Sequence, residues 1–276
     1  MSARTARRGE AAAGKAADLA TIAGDVARAI GSGSEPVAVF LLAADADMAP
    51  FAGWTRLQRH RYCQALMRAR GGESVVLTAD EVSCPAAARA FGFKPLPEGL
   101  RSGKGLVGFG IVADPATGER MFRGMSCLEP GSVSCLALCP LAAAPALPDV
   151  VVVEGPAEQL MWVLLAEANL RRGERLLGST AVLQATCVDA TIVPFLEQRL
   201  NFTMGCYGCR EATDLEPGEA VIGFPGSRLA PLAETLTFLA EKAIPRSRAK
   251  RAWRALLAGG DAAEREPSPF DREETR

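Results

Sequence analysis

Pro36-Val37-Ala38-Val39-Phe40-Leu41-Leu42 is a continuous apolar run opened by a proline, and Asp149-Val150-Val151-Val152-Val153 is a second such run far along the chain. Short runs of this kind, rich in β-branched residues and bounded by turn formers, predict strands buried on both faces. Each is followed by a helical stretch, a glycine turn and a further β-rich run that closes on a cysteine. In the first copy the helix holds Arg61-Tyr62-Cys63-Gln64-Ala65-Leu66, the turn is Gly71-Gly72, the second run is Ser74-Val-Val-Leu-Thr78, and the cysteine is Cys84. In the second copy the helix runs from Pro156 to Leu170, the turn is Arg172-Gly173, and Thr180-Ala-Val-Leu-Gln-Ala-Thr186 leads into Cys187. Strands alternating with helices in this order predict an α/β fold. The expected architecture is two pseudo-symmetric βαβ-type halves, about 36–93 and 149–200, sharing a mixed sheet covered by helices in one compact unit.

Outward from this core, residues 1–31 predict an N-terminal helical extension, with Leu19, Ile22, Val26 and Ile30 at helical spacing and a flexible Gly31-Ser-Gly-Ser-Glu-Pro36 linker behind it. The cysteine-rich α/β domain spans 32–243. Between its copies, Gly103 to Met125 reads as glycine-rich and β-forming, and Cys127 to Cys139 as a loop. After the second copy, Glu219 to Phe224 predicts a strand and Leu229 to Lys242 a helix. From residue 244 to 276 the chain turns basic and then acidic, which predicts a solvated tail with a short amphipathic helix around Trp253.

With 276 residues, 49% of them hydrophobic, the chain can bury a full core. Lysine plus arginine (31) balances aspartate plus glutamate (32), so no molecule-wide field recruits nucleic acid or an anionic membrane. The basic start, Met1 to Arg8, leads into an alanine-rich amphipathic stretch instead of a continuous apolar segment, so no secretion signal is expected. The apolar tract from Cys135 to Val153 is interrupted by Pro140, Pro145, Pro148 and Asp149, which argues for core strand plus loop over a membrane span.

Eight cysteines in a chain without an export signal predict reduced cytoplasmic thiols that serve as core residues, metal ligands or redox groups. The single histidine, His60, excludes a Ser-His-Asp triad, a histidine-rich zinc site and a two-histidine iron site. Cys84 stands between Ser83 and Pro85, and proline opens helices, so its thiol falls at or beside an N-cap. Cys187 follows Thr186 with Asp189 beyond it, a spacing that resembles a capping box. A helix start supplies N–H groups that stabilise a thiolate or an anionic cluster. Cys206-Tyr207-Gly208-Cys209 is a C-x-x-C pair, open to readings as metal ligands, a redox dithiol or an incidental pair. Cys63 lies on its helix either as a core residue or as a ligand, and Arg61 and Arg210 flank ligand candidates as possible contacts for an anionic substrate. Cys135 and Cys139-Pro140 resemble the close of a ferredoxin motif, but Glu129 and Ser132 stand where cysteines should precede them. Gly103-Lys-Gly105-Leu-Val-Gly108 matches a dinucleotide fingerprint in letters and fails in context, because no strand precedes it.

Taken together, Pro36-Val-Ala-Val, Arg61-Tyr62-Cys63-Gln64-Ala65, Ser83-Cys84 with Phe91-Gly92-Phe93, Thr186-Cys187 and Gly205-Cys206-Tyr-Gly-Cys-Arg210 resemble the archaeal cysteine-rich (ArCR) family known as domain of unknown function 169. The likeness covers roughly residues 20 to 240 and implies that Cys63, Cys84, Cys187 and Cys206 belong to the family pattern, with Cys127, Cys135 and Cys139 as additions. It carries no settled activity with it.

The sequence thus leads to a 4Fe-4S cluster held by Cys84, Cys187, Cys206 and either Cys63 or Cys209, with zinc as the alternative metal. A cluster enzyme of the oxidoreductase or lyase type, acting on a small-molecule substrate or with a redox partner protein, is the first functional expectation. A non-catalytic metal-binding or cluster-carrier protein and a metal-free dithiol oxidoreductase are the others. No nucleic acid and no integral membrane segment are expected.

Overall fold

The computed structural model describes residues 19–31, 35–181 and 184–257. A helix α1 (residues 19–30) buries Val26 and Ile30. Then come β1 (Val37–Leu42), β2 (Thr55–Arg56), α2 (Tyr62–Arg70), β3 (Val75–Thr78), α3 (Pro85–Ala90), α4 (Glu98–Arg101), α5 (Lys104–Gly108) and α6 (Pro115–Arg123). The chain goes on through β4 (Cys135–Pro140), β5 (Val150–Pro156), α7 (Ala157–Leu170), α8 (Val193–Glu197), β6 (Asn201–Thr203), α9 (Tyr207–Ala212), β7 (Glu219–Pro225), α10 (Leu229–Glu241) and α11 (Ala243–Leu257). A large unit ends at Thr237 and a second, helical unit begins at Phe238.

The fold is mixed α/β. One seven-stranded sheet has the order β2-β3-β4-β1-β5-β7-β6. β1 and β5 lie side by side and antiparallel at its centre. β4 is inserted antiparallel between β1 and β3, and β7 is inserted antiparallel between β5 and β6. Both halves therefore run strand, crossover, parallel strand, and then an antiparallel strand placed between the two.

Alternation along the strands gives the sheet two apolar faces. Val37, Val39, Val75, Leu77, Leu136, Leu138, Val150 and Val152 share a core with residues of α2, α3 and the helix over 186–197. Cys135 and Cys139 alternate with Leu136 and Leu138 along β4, so they point to the opposite face. Helix α7 packs on β5 and β7, and none of its residues belongs to the cysteine-side core.

Three sequence expectations fail here. The Asp189 carboxylate holds the start of the expected strand from Thr180 to Thr186 by accepting from Thr180 Oγ1 (2.6 Å) and Ala181 N (3.3 Å). Of that segment, the described residues 180–181 and 184–186 are not in a strand, residues 182 and 183 lying outside the described residues. Its place in the sheet falls to Asn201–Thr203, where the buried Asn201 side chain donates to Ser179 O and Asp189 O. Gly103 to Met125 is helical, not β-forming. Asp114 caps α6 by accepting from Thr117 N (2.9 Å), and Pro115 opens it. Gly103, at φ 73°, lets α5 close on α6, since a Cβ there would meet Pro115 O at 2.0 Å; the glycine pattern serves helix packing. The loop expected over Cys127 to Cys139 ends at Ser134, and Cys135 to Cys139 lies in β4, as the core-strand reading of the apolar tract expects.

Candidate functional site

Cys63, Cys84, Cys187, Cys206 and Cys209 all line one small cavity, with Arg61, Tyr62 and Gly208 in its wall. Its volume is about 40 Å³, on a measure by which one water needs ~10–15 Å³. The residues arrive from four segments. Cys63 is the second residue of α2, and Cys187 the second of the helix over 186–197. Cys84 is the N-cap of α3 and Cys206 the N-cap of α9. Cys63 and Cys187 are buried to nearly the same degree, 7% and 6% exposed, whereas Cys84 and Cys206 are both half-buried.

These placements correct one expectation from the repeat. The sequence matches Cys84 with Cys187. The topology matches Cys84 with Cys206, since each caps the helix that follows the outer parallel strand of its half, and it matches Cys63 with Cys187, each in the first turn of a helix on the same sheet face. The contacts cross between halves in the same way: α2 packs on α9, and α3 packs on the 188–192 segment. That segment, Val188–Ile192, is π-helical, a local widening that often marks functional positions. Gly223 makes room for it, as a Cβ there would lie 1.8 Å from Ala190 O. Tyr62 OH and Thr191 Oγ1, 2.8 Å apart, tie the halves together beside the cysteines. The capping box expected at Thr186 is absent, because Asp189 is turned to Thr180 and Ala181.

Cys209 is the electrostatic centre. Cys206 Sγ donates to Cys209 Sγ at 3.2 Å, and Cys209 N donates to Cys206 Sγ at 3.2 Å. Hydrogen bonding from Cys206, then from Cys63, outweighs burial and holds the Cys209 thiol far below its ordinary value. The same contact with Cys209, followed by burial, pushes the Cys63 and Cys206 thiols well up. Burial, then the charge of Cys84, raises Cys187. The buried Thr186 hydroxyl and backbone N–H also favour the Cys209 thiolate. Among these thiols Cys209 is therefore the one favoured as thiolate, with Cys206 and Cys63 as its donors.

Among the described residues, no three His, Cys, Asp or Glu side chains already surround one point as a metal would require. The sulfurs of Cys206 and Cys209 are closer than the ~3.8 Å edge of a tetrahedron built on a 2.3 Å zinc–sulfur bond. They are held as a thiol–thiolate pair, and a metal would have to spread them. Arg61 Nη1 donates to Gly208 O at 3.1 Å on the cavity wall. Arg210 donates to the carbonyls of Met204, Glu216 and Glu219, which makes it a loop staple. His60 Nδ1 lies 2.8 Å from Gln58 O and is not in the cavity wall.

One feature of this region escaped the sequence reading. Glu154, 4% exposed, follows four valines in β5 and lies on the cysteine side, with Arg70 Nη1 3.8 Å away. Burial, only partly offset by Arg70, lifts its carboxyl to about 8. The signal was a carboxylate inside an otherwise apolar strand.

No helix among the described residues is long and apolar enough to cross a membrane. The chain is 27% identical over 205 residues to the uncharacterized protein MJ0308 of Methanocaldococcus jannaschii, an alignment covering 73% of this chain and 87% of that protein. No solved structure matches it. The family model described as uncharacterised ArCR matches residues 26–235, a span that contains all five cavity cysteines and both halves of the sheet, and the chain therefore belongs to the family of domain of unknown function 169.

Proposed function

We propose that this chain is a cytoplasmic iron-sulfur protein that holds a 4Fe-4S cluster at the cysteine cavity and serves small-molecule redox chemistry. The observation that carries the proposal is the convergence of five cysteines, from segments far apart in sequence, on one cavity. Five thiols with no histidine among them suit iron-sulfur ligation, which uses cysteine thiolates.

The ligands we assign are Cys63, Cys84, Cys187 and Cys206. Each thiolate of a four-iron cluster binds a different iron, so ligand sulfurs stand well apart; Cys206 and Cys209, 3.2 Å apart, cannot both serve without rearrangement. The two halves supply one first-turn cysteine and one N-cap cysteine each, which supports an internal duplication as well as this set of four. Cys209 then remains as a thiol beside the cluster. The cluster would bring electron transfer or Lewis acidity; this chain's part is to supply the thiolates and to shelter them from water.

A second reading, mononuclear zinc, draws on the close Cys206–Cys209 pair, which needs less widening to span one metal than to span two irons. Anaerobic purification followed by iron, sulfide and zinc analysis separates the two. Brown protein with matched iron and acid-labile sulfide supports the cluster. A colourless zinc protein supports the second reading, and a colourless metal-free one overturns both.

The strand placement adds a prediction. Cys135→Ser and Cys139→Ser should leave iron and sulfide content unchanged, since both thiols lie on the far face of the sheet. Cys139→Ser should still lower stability by about 1–3 kcal/mol, because a hydroxyl replaces a fully buried thiol. Loss of the cluster in either variant, with unchanged circular dichroism, would move the site to β4.

A further inference from the structure

A second, much larger cavity of about 660 Å³ lies beyond the far end of α3, between the 92–97 loop, α4 and α6. That volume falls within the ~300–1,000 Å³ typical of small-molecule sites. Its wall carries four cations, Arg89, Lys94, Arg101 and Arg123, and one carboxylate, Glu119. Three of the cations have partners: Arg123 pairs with Glu119 at 2.5 Å, Arg101 with Glu98, and Lys94 with the largely exposed Asp80 at 3.6 Å. Such surface pairs are weak and easily exchanged. Arg89 differs, being half-buried with no ion pair or side-chain hydrogen bond among the described residues. Its charge is felt by the Cys127 thiol in the same wall. The apolar lining comes from Phe93, Leu96, Phe122 and Met125. Phe93 is stacked on Phe91 with centroids 5.7 Å apart, which fixes that side of the wall.

A partly desolvated guanidinium beside an apolar wall, in a chain with a net charge of −1, is a local arrangement for one kind of guest. We infer that this cleft binds a single-headed organic anion: a carboxylate or phosphate taken by Arg89, on a flat apolar body that lies along Phe93 and Phe122. A planar guanidinium binds either head through two parallel hydrogen bonds. The inference does not rest on the metal reading, because it uses no cavity cysteine.

The test uses the full-length protein and two fluorescent probes, the anion 8-anilinonaphthalene-1-sulfonate and its uncharged relative N-phenyl-1-naphthylamine. The anion should bind saturably at one site, and the neutral probe at least about tenfold more weakly, as expected for loss of one charge-assisted contact. Arg89→Met should weaken the anion about tenfold and leave the neutral probe unchanged; circular dichroism reports whether that variant is folded. Arg101→Gln, at an exposed position, tests the cleft if Arg89→Met misfolds, and should weaken the anion more modestly. Competition by 1-naphthoate and by 1-naphthyl phosphate then tells which head is preferred. Equal affinity for both probes, or wild-type anion binding in both folded variants, would overturn the assignment, and so would binding of a basic peptide in place of the anion.

Discussion

Alanine at Cys63, Cys84, Cys187 or Cys206 is expected to strip the protein of iron and sulfide, whereas alanine at Cys209 is expected to leave both in place. Each of the first four would remove one thiolate from a set in which every iron has one protein ligand, and the remaining three leave an iron open to water and loss. The Cys209 outcome is the sharper test, because its neighbours favour Cys209 as a thiolate. On electrostatics alone it would be the first choice as a ligand. Topology argues otherwise: it has no counterpart in the first half, and it is 3.2 Å from Cys206, which has one. Iron, sulfide and visible absorption of the five anaerobically prepared variants decide the matter, with circular dichroism as the control for folding. If Cys209→Ala loses the cluster while Cys206→Ala keeps it, the N-cap pairing is wrong and the C-x-x-C is read from its other end. If all five keep full iron, the cavity is not the site.

The strands β1, β3, β5 and β7 and the helix α7 were legible because each is a sustained apolar or periodic run whose pattern decides its structure. The meeting of Cys84 and Cys187 was legible from their recurrence at helix starts, whereas Cys206 and Cys209 were marked only by their C-x-x-C spacing and Cys63 was open between core and ligand. How they pair was not legible. Thr180 to Thr186 has the composition of a strand, but a single buried carboxylate, Asp189, holds Thr180 and Ala181 out of the sheet through two hydrogen bonds that no local pattern announces. The true strand, β6, has three residues and no readable period. Once that strand lies after Cys187 instead of before it, Cys206 moves into the position that corresponds to Cys84. The helix α6 is a different kind of miss. Its Asp114-Pro115 start stands in the sequence, but the glycines at 103, 105, 108, 110, 118 and 124 give the stretch a composition that disfavours helix. The charged group beneath the cysteines, Arg70, Glu154 and Glu219, joins residues from three distant segments, so only the folded chain brings it together.

That group sets the second large expectation: Arg70→Met should destabilise the protein by about 3 kcal/mol at neutral pH, near the lower end of the ~3–5 kcal/mol typical of breaking a buried pair. Arg70 is 15% exposed and grips Glu219, 7% exposed, through contacts of 2.9 and 2.5 Å. Burial raises the Glu219 carboxyl, but the Arg70 hydrogen bonds, the Glu216 N–H and the charges of Arg70 and Arg210 together lower it more, and the net value lies below the ordinary 4.5. Its contribution is therefore present above the unfolded value of 4.5 and disappears as pH falls through the lower folded value. Glu154 behaves oppositely. With a folded value of about 8 it stays protonated at neutral pH, so Glu219 is the anion that Arg70 balances. Without the guanidinium, burial of Glu219 is opposed only by the Glu216 N–H and the Arg210 charge, so the carboxyl takes up a proton at a higher pH than in the native chain. The difference between variant and native protein should thus shrink as pH drops from 8 toward 5. In thermal melts a loss of about 3 kcal/mol corresponds to a fall of roughly 6–12 °C for a unit of this size. Adding Glu219→Gln to Arg70→Met should recover part of the loss, because it removes the orphaned charge. A single variant that melts with the native protein at pH 8, or a double variant no better than the single, would show that the pair is not what holds β7 to α2.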